Sequence, residues 1–229
     1  MNIYTRYNNE TLFQRCQEFV PIEITKGENF NHWWDAAHYL TWVIEKGDEV
    51  AINIDVDCFI TDWSVVEQLV SDFKEAGYSH AGVSDSAYLG YRKNISWAVM
   101  NPFFNLFASS SIMEAKDDPV CNRSWDEIHQ FGFQLPFNLR KPPFVPEYER
   151  SQWEPFNGLF NWLFSWGKPM WLEAETHWDD NSTILKYQGK PFAIHTWYSR
   201  FYGGDSEEGQ FHTNRIDYRY KEALIARKR

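Results

Sequence analysis

Over roughly its first hundred residues the chain alternates short apolar strands with helix-period segments, and this rhythm limits the fold more than any other feature of the sequence. Residues 2–5 and 20–24 have strand character, and 10–18 between them follows the helical period. Asn31 is placed to cap a helix with Trp33, Ala36, Ala37, Leu40, Val43 and Ile44 at its apolar positions, and Gly47 to end it. A strand at 50–57 comes next. Ser64 and Glu67 then form a capping-box pattern for a helix carrying Val65, Val66, Leu69, Val70 and Phe73, closed by Gly77. Residues 81–83 give a further strand that ends at Asp85. Strands and helices alternating at this spacing predict an α/β protein with a mixed, mostly parallel central sheet flanked by helices. Such sheets bind ligands beyond the carboxyl ends of their strands, where Asp55, Asp57 and Asp85 fall.

The second half has a different texture. Residues 98–107 form a strand pattern, but from 108 to 152 the chain breaks into prolines and isolated aromatics, as a lid or substrate wall does. Regularity returns with a helix over 154–166 stopped by Gly167, strands over 170–174 and 191–195, and a basic helical tail from 215 to 229. The expected organisation is one domain over 1–229, with residues 1–107 as one half and 108–229 as the other.

The strand at 50–57 runs an apolar segment straight into Asp55-Val56-Asp57. Side chains alternate along a strand, so both carboxylates are expected on one face, where a divalent cation would remove their mutual repulsion. The net charge of −10 argues against nucleic acid as a partner, because backbone binding rests on Lys and Arg. Aromatic residues make up 18 %, including 12 Trp, which suits stacking on sugar rings as well as core filling. Three cysteines without metal spacing, no apolar leader and no bilayer-length apolar run give a reduced, cytoplasmic expectation.

Taken with the segments IYTRYN (3–8), EPFNGLFNWLFSWG (154–167), MWLEA (170–174) and FAIHTWYSR (192–200), the Asp55-Val56-Asp57 motif resembles the nucleotide-sugar-dependent glycosyltransferases of the GT-A fold. The resemblance implies a GT-A-like, Rossmann-like domain whose residues 1–107 bind the nucleotide and whose residues 108–229 serve the acceptor side. It implies Mn²⁺ or Mg²⁺ on Asp55, Asp57 and His195, with His177 as an alternative ligand. Tyr4, Arg6, Asn8, His32, Asp55 and Arg200 would contact the donor, a UDP-sugar by first expectation. Tyr7 is a second candidate for stacking on the base and Arg215 a third cation for the diphosphate. Glu154 would be the catalytic base of an inverting transfer to a glycan or lipid-linked glycan acceptor. The basic tail, with Lys221, Arg227, Lys228 and Arg229, would allow peripheral contact with an anionic membrane.

Simpler roles stand beside these. Glu154 at a helix start is favoured by the helix dipole whatever it does, and His195 at the end of an apolar strand suits a core histidine. Two other functional classes fit part of the pattern: a haloacid-dehalogenase-like phosphatase, drawing on Lys74 and Asp179-Asp180, and a non-catalytic carbohydrate-binding module. The similarity of Ile54-Asp55-Val56-Asp57-Cys58-Phe59 to the metal motif of Y-family DNA polymerases is set aside by the acidic charge and the length of the chain.

Overall fold

The computed structural model describes residues 1–30, 32–84, 99–119, 122–132, 154–177 and 180–227. Asn31, Asp85, Asp179, Lys228, Arg229 and residues 133–153, which contain the second part of the expected lid, lie outside them.

The protein is α/β with two sheets. Six strands form the main one: β1 (Asn2–Arg6), β2 (Ile24–Gly27), β3 (Ala51–Ile54), β5 (His80–Ser84), β6 (Met100–Phe107) and β7 (Pro169–Trp171), in the order β2-β1-β3-β6-β5-β7. The pairs β1/β2, β1/β3 and β5/β7 are parallel, whereas β6 runs antiparallel to both β3 and β5. The sheet is therefore mixed. A second, antiparallel sheet has the order β4-β10-β9-β8, from β4 (Cys58–Ile60), β8 (Glu173–Thr176), β9 (Thr183–Tyr187) and β10 (Lys190–His195).

Strand alternation sends residues of the main sheet into two apolar layers. Ile3, Ile52 and Ile54 join α1 (Glu10–Glu18), α3 (Trp63–Glu75) and residues of the second sheet in one core. Tyr4 and Ala51 join α2 (Ala36–Ile44), α4 (Ser109–Asp117), α5 (Trp125–His129) and α6 (Asn157–Trp166) in the other. The path β1-α1-β2 covers one face, and the chain then crosses on the opposite face through α2 to reach β3 on the far side of β1. This reversal between β1 and β3 opens a crevice at their carboxyl ends.

Several expected boundaries move, each for a local reason. The strand expected at 20–24 begins only at Ile24, after Pro21, which has no N–H to donate. A 3-10 turn, Trp33–Asp35, precedes α2, and the Asp35 carboxylate accepts the His32 N–H at 2.8 Å. Asp62, not Ser64, caps α3 by accepting the Ser64 N–H at 3.0 Å. The expected strand 170–174 is two strands in different sheets, because β7 pairs with β5 and β8 with β9. Helix α6 starts three residues late, at Asn157. The tail helix, α7 (Glu207–Arg227), starts before the expected 215.

Candidate metal centre

The sequence expectation for Asp55 and Asp57 requires a strand through both, and the structure departs from it. Strand β3 ends at Ile54, and the Cys58 N–H donates to the Asp55 carbonyl at 3.0 Å, closing a turn over Asp55-Val56-Asp57. That turn carries the chain out of the main sheet and into β4 of the second sheet. The carboxylates converge by this turn instead of by strand alternation.

The third member arrives through sheet register. Strand β10 pairs antiparallel with β4, and His195 lies opposite Cys58. Its Nε2 is 3.4 Å from Asp57 Oδ1 and 3.9 Å from Asp55 Oδ2. One ligand atom from each of the three residues lies within 4.8 Å of the other two, a spacing fit for a metal ion. The imidazole stacks on Phe103 at 4.2 Å between centroids and touches the Trp197 ring at 4.5 Å. His177 is outside the cluster; its backbone N–H donates to the Ser182 carbonyl.

The two carboxylates differ in electrostatics. Burial raises the Asp55 carboxyl above its ordinary value, with the Arg6 charge opposing and the Asp57 charge adding. Burial also works to raise Asp57, but the charge and hydrogen bond of His195 and a hydrogen bond from Thr196 outweigh it and hold it low. The Thr196 hydroxyl donates toward Asp57 Oδ2 at 3.2 Å, while buried Asp57 Oδ1 has, among the described residues, only the His195 Nε2 beside it at 3.4 Å. A buried carboxylate oxygen held by one long contact is costly. Two carboxylates and an imidazole are a donor set that fits Mn²⁺ or Mg²⁺, with the nitrogen favouring Mn²⁺.

The cluster lines a cavity of about 420 Å³. Arg6, Asn8, His32, Asp55, Asp57, Glu154, His195 and Arg200 all line it. Arg6 ends β1 and Asn8 follows it, so both project from the crevice beside β3. The Asn8 side chain reaches Ser199 Oγ at 3.5 Å and so links the loop after β1 to the loop after β10. Arg200 is exposed and packs over the Tyr198 and Phe201 rings. Glu154 lies in the turn that enters α6, its carbonyl accepting the Asn157 N–H at 2.9 Å.

Tyr4 stands apart from the cavity. It is buried in the core with α2, and its hydroxyl donates to Asp48 Oδ2 at 2.5 Å. Its place at the third position of β1 turns it onto the sheet face opposite Ile3. Tyr7 donates its hydroxyl to Glu10 and carries Lys26 over its ring. Arg215 is buried and gives its guanidinium to backbone carbonyls of Asp180, Thr196 and Trp197.

Wall residues the sequence did not single out include Phe30, Asn101, Pro102, Trp197 and Tyr198. Pro102 carried a signal, since proline inside a strand pattern marks an irregularity. The β5/β6 register indeed shifts between Gly82 and Ser84, and the Pro102 carbonyl accepts the buried Asn53 amide instead of a ladder bond. Asn53 in turn pairs with Asn105 at 3.1 Å and accepts from the Tyr39 hydroxyl at 2.8 Å, a buried polar chain that fixes the cavity rim. No family model matches the chain, and no curated protein matches it either.

Proposed function

We propose that the protein is a metal-dependent, GT-A-like glycosyltransferase that moves a sugar from a nucleotide-diphosphate sugar, a UDP-sugar first among them, to a glycan or lipid-linked glycan acceptor in the cytoplasm. The observation that carries this reading is the Asp55, Asp57 and His195 cluster at the crevice between β1 and β3, in one cavity with Arg6, Arg200 and Glu154. Bound there, a divalent cation supplies charge neutralisation for a departing diphosphate. Asp55, Asp57 and His195 would hold it.

The chain's own residues divide the remaining work. Arg6 and Arg200 offer guanidinium donors to phosphate oxygens. Glu154 takes the proton of the acceptor hydroxyl as its oxygen attacks the anomeric carbon, and a single attack of this kind inverts the configuration. The aromatic wall, Phe30, Trp197 and Tyr198, gives flat faces to base and sugar. A phosphatase reading needs a lysine near the carboxylates; Lys74 instead pairs with Glu49 on the exposed end of α3, and Asp180 is held by Arg219.

The test is a thermal-shift titration with UDP, GDP, CDP and ADP, each with and without Mn²⁺, on the native chain and on Asp57→Ala. At a hundredfold excess over Kd a ligand adds about 2.7 kcal/mol, a rise of roughly 5 to 10 °C for a chain of this size. The expected result is a shift with one diphosphate that needs Mn²⁺ and is lost in Asp57→Ala. The absence of any nucleotide shift in folded protein refutes the proposal.

A further inference from the structure

The loop that follows His195 has an unusual backbone. Trp197 and Tyr198 have φ values of 65° and 62°, two consecutive bulky residues in the left-handed region that Cβ-bearing residues avoid. Neither is glycine or asparagine, so the conformation must be imposed from outside the loop.

Arg215 is placed to impose it. Buried in α7, it donates from Nη2 to the Thr196 carbonyl and to the Trp197 carbonyl at 2.9 Å, and from Nη1 to the Asp180 carbonyl at 3.1 Å. One guanidinium fork thus ties three carbonyls from two loops, a span an ammonium cannot match. A second tie acts on the side chain, where the Trp197 indole N–H donates to Thr183 Oγ1 at 2.8 Å. The left-handed turn brings the indole to 4.5 Å from the His195 ring and 5.3 Å from Phe103, so that three rings are in mutual contact. Stacking on Phe103 fixes the plane of the imidazole, and the indole limits its rotation within that plane. With both in place, Nε2 is aimed at Asp57 Oδ1.

We propose that Arg215, which does not itself line the cavity, is a positioning residue for the candidate metal centre: by holding Trp197 and Tyr198 in left-handed backbone it fixes the His195 imidazole as a ligand. This inference rests on reading Asp55, Asp57 and His195 as a metal site. Groups that orient a ligand without touching the metal typically govern affinity by 10- to 100-fold.

The experiment pairs two readouts on native protein, Arg215→Lys and Arg215→Lys/Tyr198→Gly. The first is Mn²⁺ affinity by calorimetric titration. The second, made without metal, is the proton NMR position of the His195 imidazole, assigned by its loss in His195→Gln and displaced in the native protein by the ring currents of Phe103 and Trp197. In Arg215→Lys, Mn²⁺ affinity is expected to fall about tenfold or more and the imidazole signals to move toward those of exposed histidines. Tyr198→Gly, which accepts positive φ without a Cβ clash, is expected to restore part of both. Should Arg215→Lys fail to fold, Thr183→Val cuts only the indole tie and is expected to move both readouts in the same direction. Unchanged affinity and unchanged signals in the folded variant overturn the proposal. Native protein that binds no Mn²⁺ while its imidazole signals still respond to Arg215→Lys would sink the metal reading and leave the positioning role standing.

Discussion

Asp55→Asn is expected to stabilise the metal-free protein and, at the same time, to abolish its response to Mn²⁺. The ligand atoms of Asp55 and Asp57 lie within 4.8 Å of each other. Two unit charges at that separation repel by about 3.5 kcal/mol at an effective dielectric near 20. Burial adds to the cost of ionising Asp55 and the Arg6 charge offsets part of it, which is why its carboxyl stands above the ordinary value. A net relief of about 2 kcal/mol is reasonable once that offset is taken, and in a chain of this size it raises Tm by roughly 4 to 8 °C. The direction with pH follows from linkage. A carboxyl raised in the folded state costs stability fully above its folded value and costs nothing below the ordinary value near 3.8. The gain from Asp55→Asn is therefore present at pH 7 and fades as the pH falls into the acid range. Asp57→Asn has the opposite sign, because His195 and Thr196 hold that carboxyl below its ordinary value and the amide forfeits their support. Differential scanning fluorimetry in EDTA and then in Mn²⁺ reads all of this. A lower Tm for Asp55→Asn in EDTA, or a Mn²⁺ shift that survives the substitution, would refute the reasoning.

Two further outcomes test the fold that carries the site. His80 is fully buried, its Nε2 has no hydrogen-bond partner among the described residues, and burial pulls its pKa down to about 3; above pH 6.5 both folded and unfolded imidazoles are neutral, whereas below it only the unfolded one gains a proton. Urea unfolding should accordingly show about 2 kcal/mol lost between pH 6.5 and 5 on this account, with a flatter profile in His80→Phe; identical profiles would remove His80 as the cause. Gly158→Ala would drive a Cβ into the His129 carbonyl and to 2.6 Å from the Ile128 carbonyl, forcing α6 off α5, so a loss of about 2 to 3 kcal/mol is expected by chemical denaturation. Gly132→Ala, with nothing among the described residues within 4 Å of the added atom, is the control and should be neutral.

How much of this was legible in the sequence depends on whether the information was local. Helix α1 falls at Glu10–Glu18, as its periodicity implies, and Gly77 and Gly167 stop α3 and α6 because those signals act within one turn of chain. The crevice was legible too, since alternation of strand and helix places carboxylates at strand ends. The second sheet was mostly missed. Strand β4 has only three residues, and β8 and β9 carry Glu173, Glu175 and Lys186 among their apolar positions, so neither period stands out. Its one local signal was Gln188-Gly189, where both residues have positive φ, as the two-residue turn of a hairpin requires. Tyr4 was misplaced for a related reason. Whether a residue at the third position of a strand meets the cavity or the core depends on which face the crossover helix covers, and that is set by α2 more than thirty residues away.

The distinction between local and distant information also explains why the Asp pair does not by itself define the site. Asp55 and Asp57 are brought together by a turn of four residues, but His195 reaches them through the pairing of β10 with β4. A strand's side chains change face with every residue, so a slip of one position along β4 would turn His195 away and bring Ile194 or Thr196 to the carboxylates. The register is fixed at both ends. At one, the Gln188-Gly189 turn and the irregularity between Pro191 and Ala193 set where β10 begins relative to β9. At the other, the Thr196 N–H donates to the Asp57 carbonyl at 3.0 Å and Arg215 ties down the Thr196 and Trp197 carbonyls. On the proposed reading, the geometry of the cluster depends on hairpin register and on a helix-borne guanidinium. Substitutions in α7 or in the β9-β10 turn, remote from Asp55-Val56-Asp57 in sequence, act on the same site as substitutions within it.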